Sequence, residues 1–112
     1  MIRQPEFVNQ QVFDWAVEQC RKKKPGVPVS RARLETFDEG LCVQMLHVGP
    51  YSTEPASIQQ MYAYIEANGL RNCTGEERRH HELYLGDPRR TAPERLKTVL
   101  RLPVERIAPG AV

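Results

Sequence analysis

Apolar residues recur first at helical spacing: Phe13, Ala16, Val17 and Cys20 fall at i, i+3, i+4 and i+7, which predicts an amphipathic helix over residues 9–23 with Asn9 as its N-cap. The basic run Arg21-Lys22-Lys23-Lys24 sits where cations meet the terminal carbonyls favourably, and Pro25-Gly26 then stops the helix. The period next drops to two. Residues 32–37 and 41–48 read as strands split by Asp38-Glu39-Gly40, a three-residue loop ending in glycine, and so as an antiparallel hairpin. Leu41, Val43, Met45 and His47 alternate with Cys42, Gln44, Leu46 and Val48, so both faces of the second strand are largely apolar and it is expected inside a sheet.

Helical spacing then returns. Ser52 or Thr53 is a candidate cap, Pro55 suits a first turn, and Ile58, Met61, Tyr62 and Ile65 form an apolar stripe that ends at Asn68-Gly69. Residues 71–79 read as an exposed polar loop. A strand around His80-His81-Glu82-Leu83-Tyr84-Leu85, a Pro- and Arg-rich connection and a last strand near residues 96–102 follow, and the tail at 107–112 is expected to fray. The order after the first helix is strand, strand, helix, strand, strand, which predicts an α+β fold: an antiparallel sheet with helices on one face.

A length of 112 residues fits one domain, and a formal charge of +2 with 27% charged residues gives no global field of the kind that nucleic-acid or membrane-surface proteins carry. The basic run at 21–24 lacks interleaved aromatics, so it reads as a helix end in solvent and not as a nucleic-acid patch. No helix-turn-helix or other DNA-reading module is recognisable, so no direct nucleic-acid partner is expected. The three cysteines, Cys20, Cys42 and Cys73, have no CxxC spacing and are read as reduced. No signal-peptide pattern opens the chain and no stretch approaches the ~20 apolar residues a membrane span needs, which gives the expectation of a cytoplasmic protein without a membrane partner.

Candidate chemistry concentrates in two stretches, residues 80–87 and 47–51. On a strand Glu82 and Tyr84 share one face with His80, while His81, Leu83 and Leu85 share the other, so a carboxylate and a phenol stand together in apolar surroundings. That pairing points to a binding pocket. Tyr51 follows Gly49-Pro50 at a strand-to-helix junction, and Tyr62 lies on the second helix. His47 has two readings, a ligand contact or a core histidine satisfied by a backbone carbonyl, and the second is favoured. Trp15 on the first helix is read as packing before ligand stacking. His80 and Glu82 share a strand face but make only two ligands where zinc needs three or four, so neither metal nor cofactor is expected.

Taken together, His47-Val48-Gly49-Pro50-Tyr51, Glu54-Pro55-Ala56, His81-Glu82-Leu83-Tyr84-Leu85-Gly86-Asp87-Pro88-Arg89 and Leu96-Lys97-Thr98-Val99-Leu100-Arg101 resemble the GyrI-like small-molecule-binding domains, which are similar to the effector domains of multidrug-responsive transcription regulators. The resemblance implies two pseudo-symmetric strand–helix–strand–strand units whose helices flank a ligand cleft, with this chain carrying the second unit over residues 1–107, a preceding helix and a flexible tail at 108–112. An unpaired sheet edge and uncovered apolar surface are then expected, and with them a homodimer. The family's acidic cleft residue matches Glu82. Beside it, Tyr51, Tyr84, Tyr62, His47 and Trp15 are the expected ligand contacts, with Glu82 and Tyr84 as catalytic candidates. Three activities follow from the resemblance: binding of hydrophobic, often cationic, small molecules; hydrolysis of strained cyclopropane rings in DNA-alkylating natural products, as some stand-alone members perform for self-protection; or inhibition of a protein partner such as DNA gyrase.

Overall fold

The computed structural model describes residues 1–107, so the tail expected at 108–112 lies outside the described residues. The chain divides into two compact units, Met1–Asp38 and Glu39–Val112. In the first unit Asn9 caps the helix as the sequence predicts: its Oδ1 accepts the Val12 N–H at 2.9 Å, and α1 runs Gln10–Lys23 with Arg21, Lys22 and Lys23 in its last turn. A short 3-10 turn, Val29–Arg31, follows.

The second unit consists of β1 (Cys42–Val48), α2 (Glu54–Ala67), β2 (Leu70–Asn72), β3 (His81–Tyr84) and β4 (Lys97–Arg106). The long β4 is central. It pairs antiparallel with β1 along one side and with β3 and β2, one after the other, along the other. Together with α1 this is the expected α+β architecture: two helices and a four-stranded antiparallel sheet.

Three details depart from the sequence reading. No strand forms at 32–37, so the predicted hairpin is absent among the described residues. The loop before β1 is tied elsewhere: the Arg78 guanidinium donates to the carbonyls of Glu39 (2.7 Å), Leu41 (2.9 Å) and Val104 (3.1 Å), and Leu41 also accepts the Val104 N–H, so β1 pairs with β4. Second, β1 is an edge strand where its doubly apolar pattern predicts an interior one, and Leu46 and Val48 remain 47% and 55% exposed. Third, the polar stretch after the second helix opens with β2, and the last strand runs to Arg106. Ile107, expected to fray, donates its N–H to the Gly69 carbonyl at 3.0 Å.

The core lies between α2 and one sheet face. Met61 and Ile65 bury against Leu100, Leu102 and Val104, with Val43, Met45, Ile58 and Leu70 half-buried around them. Ladder partners share a face, so the register places Val43, Met45 and His47 of β1 and Glu82 and Tyr84 of β3 on the face that α2 covers. Gln44, Leu46, Val48, His81 and Leu83 occupy the opposite face, in register with Arg101, Val99 and Lys97.

Candidate functional site

The turn from β1 into α2 is locked by one imidazole. His47 is 4% exposed. Its Nε2 lies 2.9 Å from the Pro50 carbonyl, which can only accept, so Nε2 donates there, and Nδ1 and the Ser57 hydroxyl are hydrogen-bonded at 2.7 Å. Thr53 Oγ1 completes the knot, 3.1 Å from His47 Nε2 and donating to the Pro50 carbonyl at 2.8 Å. That hydroxyl therefore does not cap the helix it precedes. Gly49 sits at φ +132°, and a Cβ there would come within 3.3 Å of Thr53 Oγ1, so glycine is required twice over, by conformation and by space. The effect is to fix the start of α2, and with it Tyr51 and Glu54, over one end of the sheet.

On that end the ladder aligns Tyr84, Thr98 and His47 in one row and Glu82, Leu100 and Met45 in the next. Tyr84 donates its hydroxyl to Glu82 Oε2 at 2.8 Å, and its ring meets that of Tyr51 edge-to-face, with centroids 5.6 Å apart and planes at 67°. Glu54, in the first turn of α2, faces Glu82 of β3 closely enough for the two carboxyl groups to interact. Burial pushes the Glu54 pKa up, and the hydrogen bond to Glu82 and the Glu82 charge add to this, with the imidazoles of His47 and His80 pulling the other way. Glu54 Oε1 is buried with no hydrogen-bond partner among the described residues. The phenol of Tyr84 is likewise held above its ordinary value, first by the bond to Glu82 and then by burial and the charges of Glu82 and Glu54. Thr98, 0% exposed between His47 and Tyr84, keeps Oγ1 without a partner among the described residues.

The structure thus brings Tyr51, Tyr84 and Glu82 together. It buries His47 with both ring nitrogens engaged inside the protein. Tyr62 lies half-exposed on the flank of α2, and Trp15 belongs to the first unit, on α1, largely exposed. His80 enters only through its charge, and His81 turns to the opposite face, where Nδ1 lies 3.0 Å from Glu39 Oε1. Among the described residues no group of three or more His, Cys, Asp or Glu side chains is arranged to hold a metal ion.

The residue that the sequence reading missed as a site residue is Glu54. Its signal was its phase. Glu54, Ile58, Met61 and Ile65 fall at i, i+4, i+7 and i+11, so a carboxylate extends the very stripe that packs on the sheet, which an ordinary solvated glutamate would not do. A groove of about 570 Å³ lies elsewhere, between α2 and the outer side of β1, and includes neither the carboxyl pair nor Tyr51 and Tyr84.

The model of the GyrI-like small molecule binding domain matches residues 3–105. The chain belongs to the GyrI-like family. Among solved structures, this GyrI-like chain is similar to a hydrolase from Listeria innocua (53% identity, TM-score 0.85, covering 92% of this chain and 52% of that one). It is also similar to an uncharacterized conserved protein from Listeria innocua (55% identity, TM-score 0.88, 92% and 50%) and to a further Listeria innocua hydrolase (53%, 0.82, 92% and 50%). The chain therefore spans about half the length of these solved relatives. Among curated proteins, none matches significantly. No helix among the described residues is long and apolar enough to cross a membrane.

Proposed function

We propose that this GyrI-like domain binds a flat, largely apolar small molecule against Tyr51 and Tyr84 and adds water to it. The observation that carries the hydrolytic reading is the Tyr84 hydroxyl bound to Glu82 at 2.8 Å beside a second carboxyl group, Glu54, which burial holds toward its protonated form. A carboxyl group held toward its acid form next to another supplies proton donor and acceptor in one site. The similarity to two proteins named as hydrolases supports the same reading.

For a strained cyclopropane conjugated to a carbonyl, the step balances as follows. Water forms a bond from oxygen to a ring carbon and gives a proton to the Glu82 carboxylate. The strained carbon–carbon bond breaks, and its electron pair passes to the conjugated carbonyl oxygen. The proton on Glu54 is then available to that oxygen, and the Tyr84 O–H holds the attacking water or the developing negative charge. The product is the substrate plus one water. In a host exposed to such alkylators this is self-protection.

A second reading, binding without turnover, rests on the same pair. The Glu82 carboxylate beside the tyrosine rings suits a cationic aromatic ligand. We place the domain in the cytoplasm, where its three free cysteines stay reduced, and read it as a homodimer.

Incubation with a spirocyclopropane alkylator, followed by mass spectrometry of ligand and protein, separates the two readings. Release of ligand heavier by one water, with the rate lowered about 10²–10⁴-fold in Glu82→Gln, is the expected result. Retention of unaltered ligand leaves the binding reading alone. Full affinity and full turnover in Glu82→Gln would remove this site from both.

A further inference from the structure

Thr98 is fully buried, and its hydroxyl has no hydrogen-bond partner among the described residues. A buried hydroxyl in that state costs stability that a methyl group in its place would not, so its presence calls for a partner from outside the chain. The direction of the side chain follows from the strand. Leu100, Leu102 and Val104 of β4 pack on Met61 and Ile65 of α2, and Thr98, two residues before Leu100, points to the same side.

Its surroundings are those of the carboxyl pair. The ladder row runs from Tyr84 on β3 through Thr98 to His47 on β1. β4 lies between β1 and β3, so the ring of Tyr51, which follows β1, meets the ring of Tyr84 across β4, at the row that Thr98 centres. Glu54 is placed by its neighbours. Its carboxyl group interacts electrostatically with His47 and with Tyr84, the two residues that flank Thr98 in that row. Glu54 Oε1 is buried and likewise without a partner among the described residues. The two rings above are exposed and belong to no part of the core, so they can separate without unpacking it. A flat ligand that enters between them meets the Thr98 hydroxyl and the Glu54 carboxyl group together.

We infer that Thr98 is a catalytic residue, the second hydrogen-bond donor beside Glu54 to the carbonyl oxygen of the substrate. The inference rests on the hydrolytic reading above and fixes which end of the substrate is held deepest. When the strained carbon–carbon bond breaks and its electron pair reaches the carbonyl oxygen, Glu54 gives that oxygen its proton. The Thr98 O–H donates a hydrogen bond to the same oxygen and keeps its own proton. Donors aimed at the atom where charge develops stabilise the transition state more than the ground state. The Tyr84 hydroxyl, already bound to Glu82, is left to the attacking water. The substrate class is then a flat conjugated carbonyl compound whose oxygen projects from one edge, because that oxygen has to pass between the rings.

The test is steady-state hydrolysis of a carbonyl-conjugated spirocyclopropane alkylator by the wild type, Thr98→Val and Thr98→Ser, with thermal unfolding of each protein. Valine keeps the shape and removes the hydroxyl, whereas serine keeps the hydroxyl and removes the methyl group. Thr98→Val is expected to melt at or above the wild-type temperature while its kcat falls about 10²–10³-fold at little-changed KM. Thr98→Ser is expected to melt lower yet to keep kcat within about tenfold of the wild type. A Thr98→Val protein that melts lower or does not fold has lost a bond inside the fold, which overturns the assignment. Wild-type kcat in Thr98→Val overturns it too and leaves the hydrolytic reading standing, and an equal fall in both variants overturns it as an effect of packing. If the wild type itself releases no hydrated product, the hydrolytic reading fails and the role of Thr98 fails with it.

Discussion

Glu54 shows how one side chain acquires a role from its phase and its neighbours. Its apolar setting on the packed stripe of α2 disfavours the charged form, and Glu82 stabilises the proton that results. The consequence for pH has a definite sign. A carboxyl whose pKa in the folded state is raised above its ordinary value of 4.5 contributes stability that is fully present below that value and is lost as pH rises through the folded one. Glu54→Gln, which cannot ionise, should therefore flatten the loss of thermal stability that the wild type shows on going from acid to neutral pH. Thermal unfolding of both proteins across that range measures the difference. In a hydrolytic assay the same substitution should remove the alkaline limb of the rate profile, because that limb reports loss of the Glu54 proton. At the other end of the turn, Gly49→Ala forces a side chain into a left-handed conformation against Thr53. A destabilisation of about 1–3 kcal/mol is expected, measured by denaturant unfolding.

At the scale of elements, β4 is the organising strand: ten residues long, paired with three partners and contributing Leu100, Leu102 and Val104 to the core. α2 is its counterpart, holding the core through Met61 and Ile65 while its first turn carries Glu54. Met61 is 2% exposed at the centre of that contact, so Met61→Ala should cost about 2–5 kcal/mol in chemical denaturation, with Tyr51 and Tyr84 displaced as α2 loosens. Both helices were legible from their periodicity, and the cap at Asn9 and the stop after residue 67 from single residues. The hairpin was not. Local pattern and a glycine-containing loop favour one at 32–48, but β1 takes β4 as its partner, and Arg78, nearly forty residues along the chain, binds the carbonyls of Glu39 and Leu41 in the intended turn. β2 was missed for a related reason: three residues carry too little alternation to be read, and the strand is defined by the C-terminal half of β4.

For the whole molecule, the sequence determined the fold class, the packed face of the second helix, the turn chemistry at Gly49-Pro50 and the family, because each depends on the character of residues a few positions apart. It also brought out Glu82, Tyr84 and Tyr51 as a group worth testing. Only the tertiary structure decided which strand is central, that His47 is spent on fixing a turn, and that Glu54 is brought beside Glu82. Those outcomes depend on distances between residues far apart in the chain, where hydrogen bonds and burial are set by packing and not by local spacing. The same distinction accounts for β1. Its composition is that of an interior strand, and only the arrangement of the sheet leaves one of its sides open.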